Sequence, residues 1–159
     1  MRVTVVCSGN ICRSPMAEVV LRDAIAGTDL VGVTVDSAGT GDWHVGDGAD
    51  PRALATLADH GLDGSAHRAR QFTPAWFGPA PHLVLAADRG HLRVLRRLPG
   101  SEAVTIRLLR SFDPALAGLI EDDPSLDLPD PYFDGSFEPV LTMLRHAAPG
   151  IVAQLRGMS

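Results

Sequence analysis

Cys7 and Arg13 stand six positions apart in the run Val6-Cys7-Ser8-Gly9-Asn10-Ile11-Cys12-Arg13-Ser14-Pro15, the segment richest in reactive side chains. A cysteine attacks as its thiolate, and an arginine offers two parallel donors that match two oxygens of an oxyanion. The residues between them give the pair its meaning. Gly9 and Asn10 tolerate the dihedrals that curl a loop until successive backbone N–H groups point inward, and a helix opening after Ser14-Pro15 adds its positive end. Residues Cys7, Ser8, Gly9, Asn10, Ile11, Cys12 and Arg13 thus form an expected anion cradle with a thiol at its base. Inward N–H dipoles, the helix end and Arg13 all favour the thiolate, so Cys7 is expected to be ionised at neutral pH. If the anion is a phosphoryl group in transfer, the Arg13 charge supplies most of the stabilisation, and a lysine in its place would lose the fork. The loop lacks the lysine and the spacing of a nucleotide-binding Walker loop.

Such a loop must be held by a sheet. Arg2-Val6 reads as a β-branched strand, and Met16 to about Ala26 as the helix after the loop. Val31-Asp36 reads as a second strand, and Asp50-Pro51 as the cap and first turn of a helix through Ala58. His82-Ala87 is a third strand, Arg89-Arg97 a helix, and Ala103-Leu108 a fourth strand. A final helix starts at Ser136, and Pro149-Gly150 is expected to interrupt it. The alternation predicts one α/β domain over residues 1–159: a parallel four-stranded sheet with helices on both faces and the anion loop after the first strand. Ligands of such sheets gather at the carboxyl ends of the strands, which makes the Gly/Pro/Asp-rich segments Gly39-Asp50 and Glu121-Gly135 candidate rim loops.

Composition narrows the class. The formal charge is −5, and all 14 basic residues are arginine, which disfavours bulk binding to nucleic acid. No apolar run is long enough to span a membrane and no cleavable leader opens the chain, so a cytoplasmic protein is expected. Two cysteines in one segment are too few for a secreted disulfide framework and suit a reactive or redox site. Cys12 is expected to trap an oxidised Cys7 as a disulfide, the alternative being a small side chain that fills space behind the loop.

The ten-residue run resembles the signature of low-molecular-weight protein tyrosine phosphatases. Ser37-Ala38-Gly39-Thr40, Asp50-Pro51-Arg52-Ala53-Leu54, His67-Arg68-Ala69-Arg70-Gln71 and Asp130-Pro131-Tyr132 follow in the family's order. The resemblance implies a phosphotyrosine-protein partner, a phosphocysteine on Cys7, inorganic phosphate as product, and no cofactor or metal. It makes Asp130 the general acid, a role the chemistry needs because a phenolate leaves poorly until protonated. On local sequence alone the Asp-Pro is an ordinary turn. Ser14 resembles the hydroxyl that supports the sulfur, and Asn10, Ser37 and His67 a network that holds the loop. Without the resemblance, Ser14 reads as an N-cap, Asn10 and Ser37 as turn residues, and His67 as a satisfied histidine. Trp43 and Tyr132, with Ile11 and Phe133, resemble walls of a substrate slot. Phe133 stands where some relatives carry a second tyrosine. Asp88, after the third strand, reads as a helix N-cap or a partner of an active-site arginine.

Two related chemistries compete. Thiol-linked arsenate reductases use further cysteines downstream, which this chain lacks. Protein-arginine phosphatases carry a threonine where this chain has Ile11, an apolar side chain better suited to a flat phenyl group. A non-catalytic phosphate-binding module would not need a nucleophile, a clamp and an acid together.

Overall fold

The computed structural model describes residues 1–79 and 81–159. Four strands, β1 (Arg2–Cys7), β2 (Thr34–Gly39), β3 (His82–Ala86) and β4 (Thr105–Leu108), form an all-parallel sheet in the order β2-β1-β3-β4. The period of two along β1 sends Val3, Val5 and Cys7 to one core and Val6 to the other. Strand β3 does the same with Leu83 and Leu85 on one side and Val84 and Ala86 on the other. Among the described residues five α-helices join the sheet: α1 (Arg13–Ala26), α2 (Pro51–Asp59), α3 (Arg89–Arg97), the single turn α4 (Pro131–Asp134) and α5 (Phe137–Met158). Helices α1 and α5 pack Met16, Leu21, Leu141, Leu144, Ile151 and Leu155 on the first face, and α3 packs Leu92 and Leu95 on the second. Each fully buried aliphatic side chain contributes roughly 1.5–3 kcal/mol, so the two layers hold the sheet from both sides.

Two sequence expectations are corrected. The second strand is Thr34–Gly39 rather than Val31-Asp36. Val31 is 89% exposed and Gly32 adopts φ +70°, so the chain turns there and pairs only once Thr34 faces Arg2. The shift matters, because the resulting register sets Gly39 opposite Cys7. The final helix is not interrupted at Pro149-Gly150 but runs through both to Met158. A mid-helix proline costs about 3 kcal/mol, and here the buried Ala147, Ala148, Ile151, Val152 and Leu155 offset it. Gly150 serves a separate purpose: a Cβ there would lie 2.3 Å from the Phe112 carbonyl oxygen, so only glycine lets α5 approach the turn after β4 so closely.

The two central strands, β1 and β3, end side by side. Beyond their carboxyl ends lie the Cys7–Arg13 loop, Asp88 and the segment around Leu128, whose N–H bonds the Ala87 carbonyl at 2.9 Å. Among the described residues, no helix is long and apolar enough to cross a membrane.

Candidate active site

The loop after β1 keeps its shape through buried hydrogen bonds. Among the described residues Asn10 is the non-glycine residue at positive φ, +58°, a conformation asparagine tolerates better than most side chains. Its amide nitrogen donates to Ser14 Oγ at 2.7 Å and to Ser37 Oγ at 3.0 Å, and its Oδ1 accepts from Arg70 N–H at 2.9 Å. His67 Nε2 meets the Asn10 carbonyl at 2.6 Å. Ser14 Oγ lies 2.9 Å from Cys7 Sγ. Because that oxygen already accepts from Asn10, its own proton is free to point at the sulfur. Gly39 lets the loop close over β2, since a Cβ there would lie 2.5 Å from the Ser8 carbonyl oxygen. Ser14 is not the N-cap of α1: that position is Cys12, which makes no capping bond.

Arg13 is buried, and its direction is fixed. Nη1 donates to Asp88 Oδ2 and to the Leu128 carbonyl, both at 3.0 Å, while Nη2 lies 3.5 Å from Asp130 Oδ2. Asp88 fills both of its expected roles, pairing with Arg13 and capping α3 through His91 N–H at 3.1 Å. Burial opposes its ionised form, but the contacts from His91 and Arg13 outweigh burial and hold the carboxyl below its usual range. Asp130 caps α4, with Oδ1 accepting from Tyr132 N–H at 3.1 Å. A cleft of about 330 Å³ joins these groups, lined by Cys7, Ile11, Arg13, Asp130 and the aromatics Trp43, Tyr132 and Phe133. Trp43 is 70% exposed and Phe133 83%, and the Tyr132 and Phe133 rings pack edge to face with centroids 5.1 Å apart.

A family model described as low molecular weight phosphotyrosine protein phosphatase matches residues 2–158. The chain belongs to that family. It is similar to the low molecular weight protein-tyrosine-phosphatase of Streptomyces coelicolor, at 53% identity over 98% of this chain and 93% of the relative. Among solved structures it resembles YfkJ from Bacillus subtilis, with a TM-score of 0.83 at 31% identity, covering 99% of this chain and 95% of that one. A Drosophila arginine phosphatase is similar too, with a TM-score of 0.82 at 30% identity over 98% of each of the two chains.

In this low-molecular-weight phosphatase the structure gathers Cys7, Arg13, Ser14, Asn10, Ser37, His67 and Asp130 around one loop, and Ile11, Trp43, Tyr132 and Phe133 around its mouth. Three further contributors are His91 and His44, which carry no sequence signal, and Arg52, which the sequence marks only as part of the Asp50-Pro51-Arg52-Ala53-Leu54 segment. His91 Nδ1 accepts from Asp88 N–H at 3.2 Å, which leaves Nε2–H to donate to Ser8 Oγ at 2.8 Å. Burial pushes this imidazole down to about 4, so it is neutral at pH 7. His44 lines the cleft over Gly9. Arg52 links the loop to the Asp130 segment. Their partners in space are far away in sequence, and spacing reveals only local relations.

Proposed function

We propose that the chain hydrolyses phosphotyrosine in proteins, and small aryl phosphates, through a phosphocysteine on Cys7. The observation that carries this reading is the meeting of Cys7, Arg13 and Asp130 at one aromatic-walled cleft. Cys7 Sγ attacks phosphorus, and the S–P bond forms as the P–O bond to the aryl group breaks. With Nη1 of Arg13 held by Asp88 and Leu128, the rest of the fork faces two equatorial phosphate oxygens. Asp130 gives its proton to the departing phenolate oxygen. Its carboxylate then takes a proton from the water that attacks the phosphocysteine, and the S–P bond breaks to return the thiolate and release inorganic phosphate. Ser14 Oγ–H stabilises the sulfur as nucleophile and again as leaving group. The exposed apolar rim of Trp43 and Phe133 suits a substrate with chain on either side of the phosphotyrosine better than a small metabolite.

Likeness to an arginine phosphatase supplies a second reading, and Ile11 at the cleft weighs against it. Turnover of a phosphotyrosine peptide, an aryl phosphate and phosphoarginine by the unmodified chain tests both. Phosphotyrosine is expected to lead, and a lead for phosphoarginine overturns the proposal. Asp130→Asn is expected to lower kcat/KM at least about tenfold more for phenyl phosphate than for p-nitrophenyl phosphate, because proton donation matters only when the leaving oxygen is basic. Equal losses would remove Asp130 as the acid.

A further inference from the structure

We propose that Arg52 is a positioning residue that clasps the Asp130 segment to the Cys7–Arg13 loop; the inference rests on the reading of Asp130 as the acid. The clasp begins at Asp50, whose N–H donates to the Ile11 carbonyl at 2.8 Å and so belongs to the underpinning of the loop. The Asp50 carboxylate caps α2 through Arg52 N–H and receives the Arg52 side chain as a fork, Nε on Oδ1 at 3.1 Å and Nη2 on Oδ2 at 2.9 Å. From there the guanidinium reaches outward. Nη2 donates to the Tyr132 carbonyl at 3.3 Å, and the guanidinium carbon stands 5.4 Å from the Tyr132 ring centroid and 4.9 Å from that of Phe137.

The rest of the Asp130 segment explains why this contact matters. Upstream of Asp130 the chain is well anchored: Leu128 N–H bonds Ala87, Arg13 bonds the Leu128 carbonyl, and Arg89 forks onto Asp127. Downstream, among the described residues, the hydrogen bonds made by residues 131–135 are local except the one from Arg52. Asp130 therefore lies at the edge of the anchored region. Its Oδ1 is tied to Tyr132 N–H, so a shift of the Tyr132 peptide moves the carboxyl that must reach the leaving oxygen. The Arg52 side chain is 50% exposed, so it is not a core residue retained for packing alone. Fork, carbonyl bond and ring contact together use the planar geometry of a guanidinium, which a lysine ammonium cannot reproduce.

The test compares kcat/KM on phenyl phosphate and p-nitrophenyl phosphate for Arg52→Ala, Arg52→Lys, Asp130→Asn and the double variant Arg52→Ala/Asp130→Asn. A displaced acid predicts a loss of about tenfold on phenyl phosphate and less than about twofold on the activated ester in Arg52→Ala, with Arg52→Lys in between. In the Asp130→Asn background, Arg52→Ala should cause no further loss on phenyl phosphate, because there is no proton left to aim. Arg52→Lys keeps the charge and the α2 cap, so it decides the matter if Arg52→Ala proves poorly folded. Equal losses on the two esters in the lysine variant, or multiplying losses in the double variant, overturn the clasp. If Asp130→Asn itself fails to discriminate between the esters, the acid assignment falls and the clasp with it. If Asp130→Asn discriminates and neither Arg52 variant does, the clasp alone is wrong.

Discussion

Cys12 lies in the same loop as Cys7 but in a different electrostatic setting. Burial, reinforced by the charges of Asp50, Cys7 and Asp130, pushes its thiol up to about 12. A thiol held protonated attacks slowly, so Cys12 should rescue an oxidised Cys7 at a rate that climbs with pH across the neutral range. After peroxide treatment, a dithiol is expected to restore wild type more fully than Cys12→Ser, with a Cys7–Cys12 linkage visible by mass spectrometry. Equal recovery and no linkage would leave Cys12 as packing. At the mouth of the cleft, Ile11→Thr should move the ratio of phosphotyrosine to phosphoarginine turnover toward phosphoarginine, by less than about tenfold since one pocket contact changes. An unchanged ratio would mean that Ile11 does not set the preference. At this scale the sequence was most legible where partners are neighbours. The loop could be read from ten consecutive residues, whereas Asp130 needed the family resemblance because a lone Asp-Pro is a turn. The contacts of Arg52 and His91 were invisible, since Arg52, named only within its family segment, meets Tyr132 across 80 positions and His91 meets Ser8 across 83.

Helix α3 shows how one element serves fold and site at once. Its N-cap, Asp88, satisfies the first turn with one carboxylate oxygen and turns the other toward Arg13. Asp88→Asn keeps a capping oxygen but gives up the charge, so it should leave thermal stability within about 0.5 kcal/mol while lowering kcat/KM on every ester alike. Asp88→Ala should lose the same activity and, in addition, about 1 kcal/mol of stability measured by urea unfolding. If the asparagine variant retains full activity, the Arg13 pair is ornamental. The elements that the sequence located correctly, β1, α2, β3 and α3, are those with clean caps or short continuous runs buried on both faces. Strand β2 was misplaced because its apolar start, Val31, resembles a strand residue, while pairing with β1 is decided by sheet register, a nonlocal property. Helix α5 was cut short because local propensity at Pro149 argues against a helix that tertiary burial sustains.

For the molecule as a whole, two buried histidines tie stability to pH. His82 meets Thr4 Oγ1 at 2.8 Å in a chain that continues to Asp36 and Arg2, and burial, with Arg2 nearby, brings it down to about 4 from 6.5. His91 is lowered to about 4 as well, chiefly by burial. Between these values the unfolded chain takes up protons that the native chain does not, so stability is fully present above pH 6.5 and falls as pH drops toward 4. The loss at pH 5 should be on the order of 2 kcal/mol per histidine, read as a lower urea midpoint than at pH 7. His82→Gln should flatten part of that slope; a midpoint independent of pH over this range would contradict the buried neutral assignment. The bond from Arg13 to the Leu128 carbonyl, 115 positions away, has a temporal consequence. The nucleophile is translated well before Leu128, the last of the groups that aim its partner. A nascent or truncated chain therefore carries the cysteine without the machinery around it, and the appearance of hydrolysis during synthesis would time the closing of the whole fold.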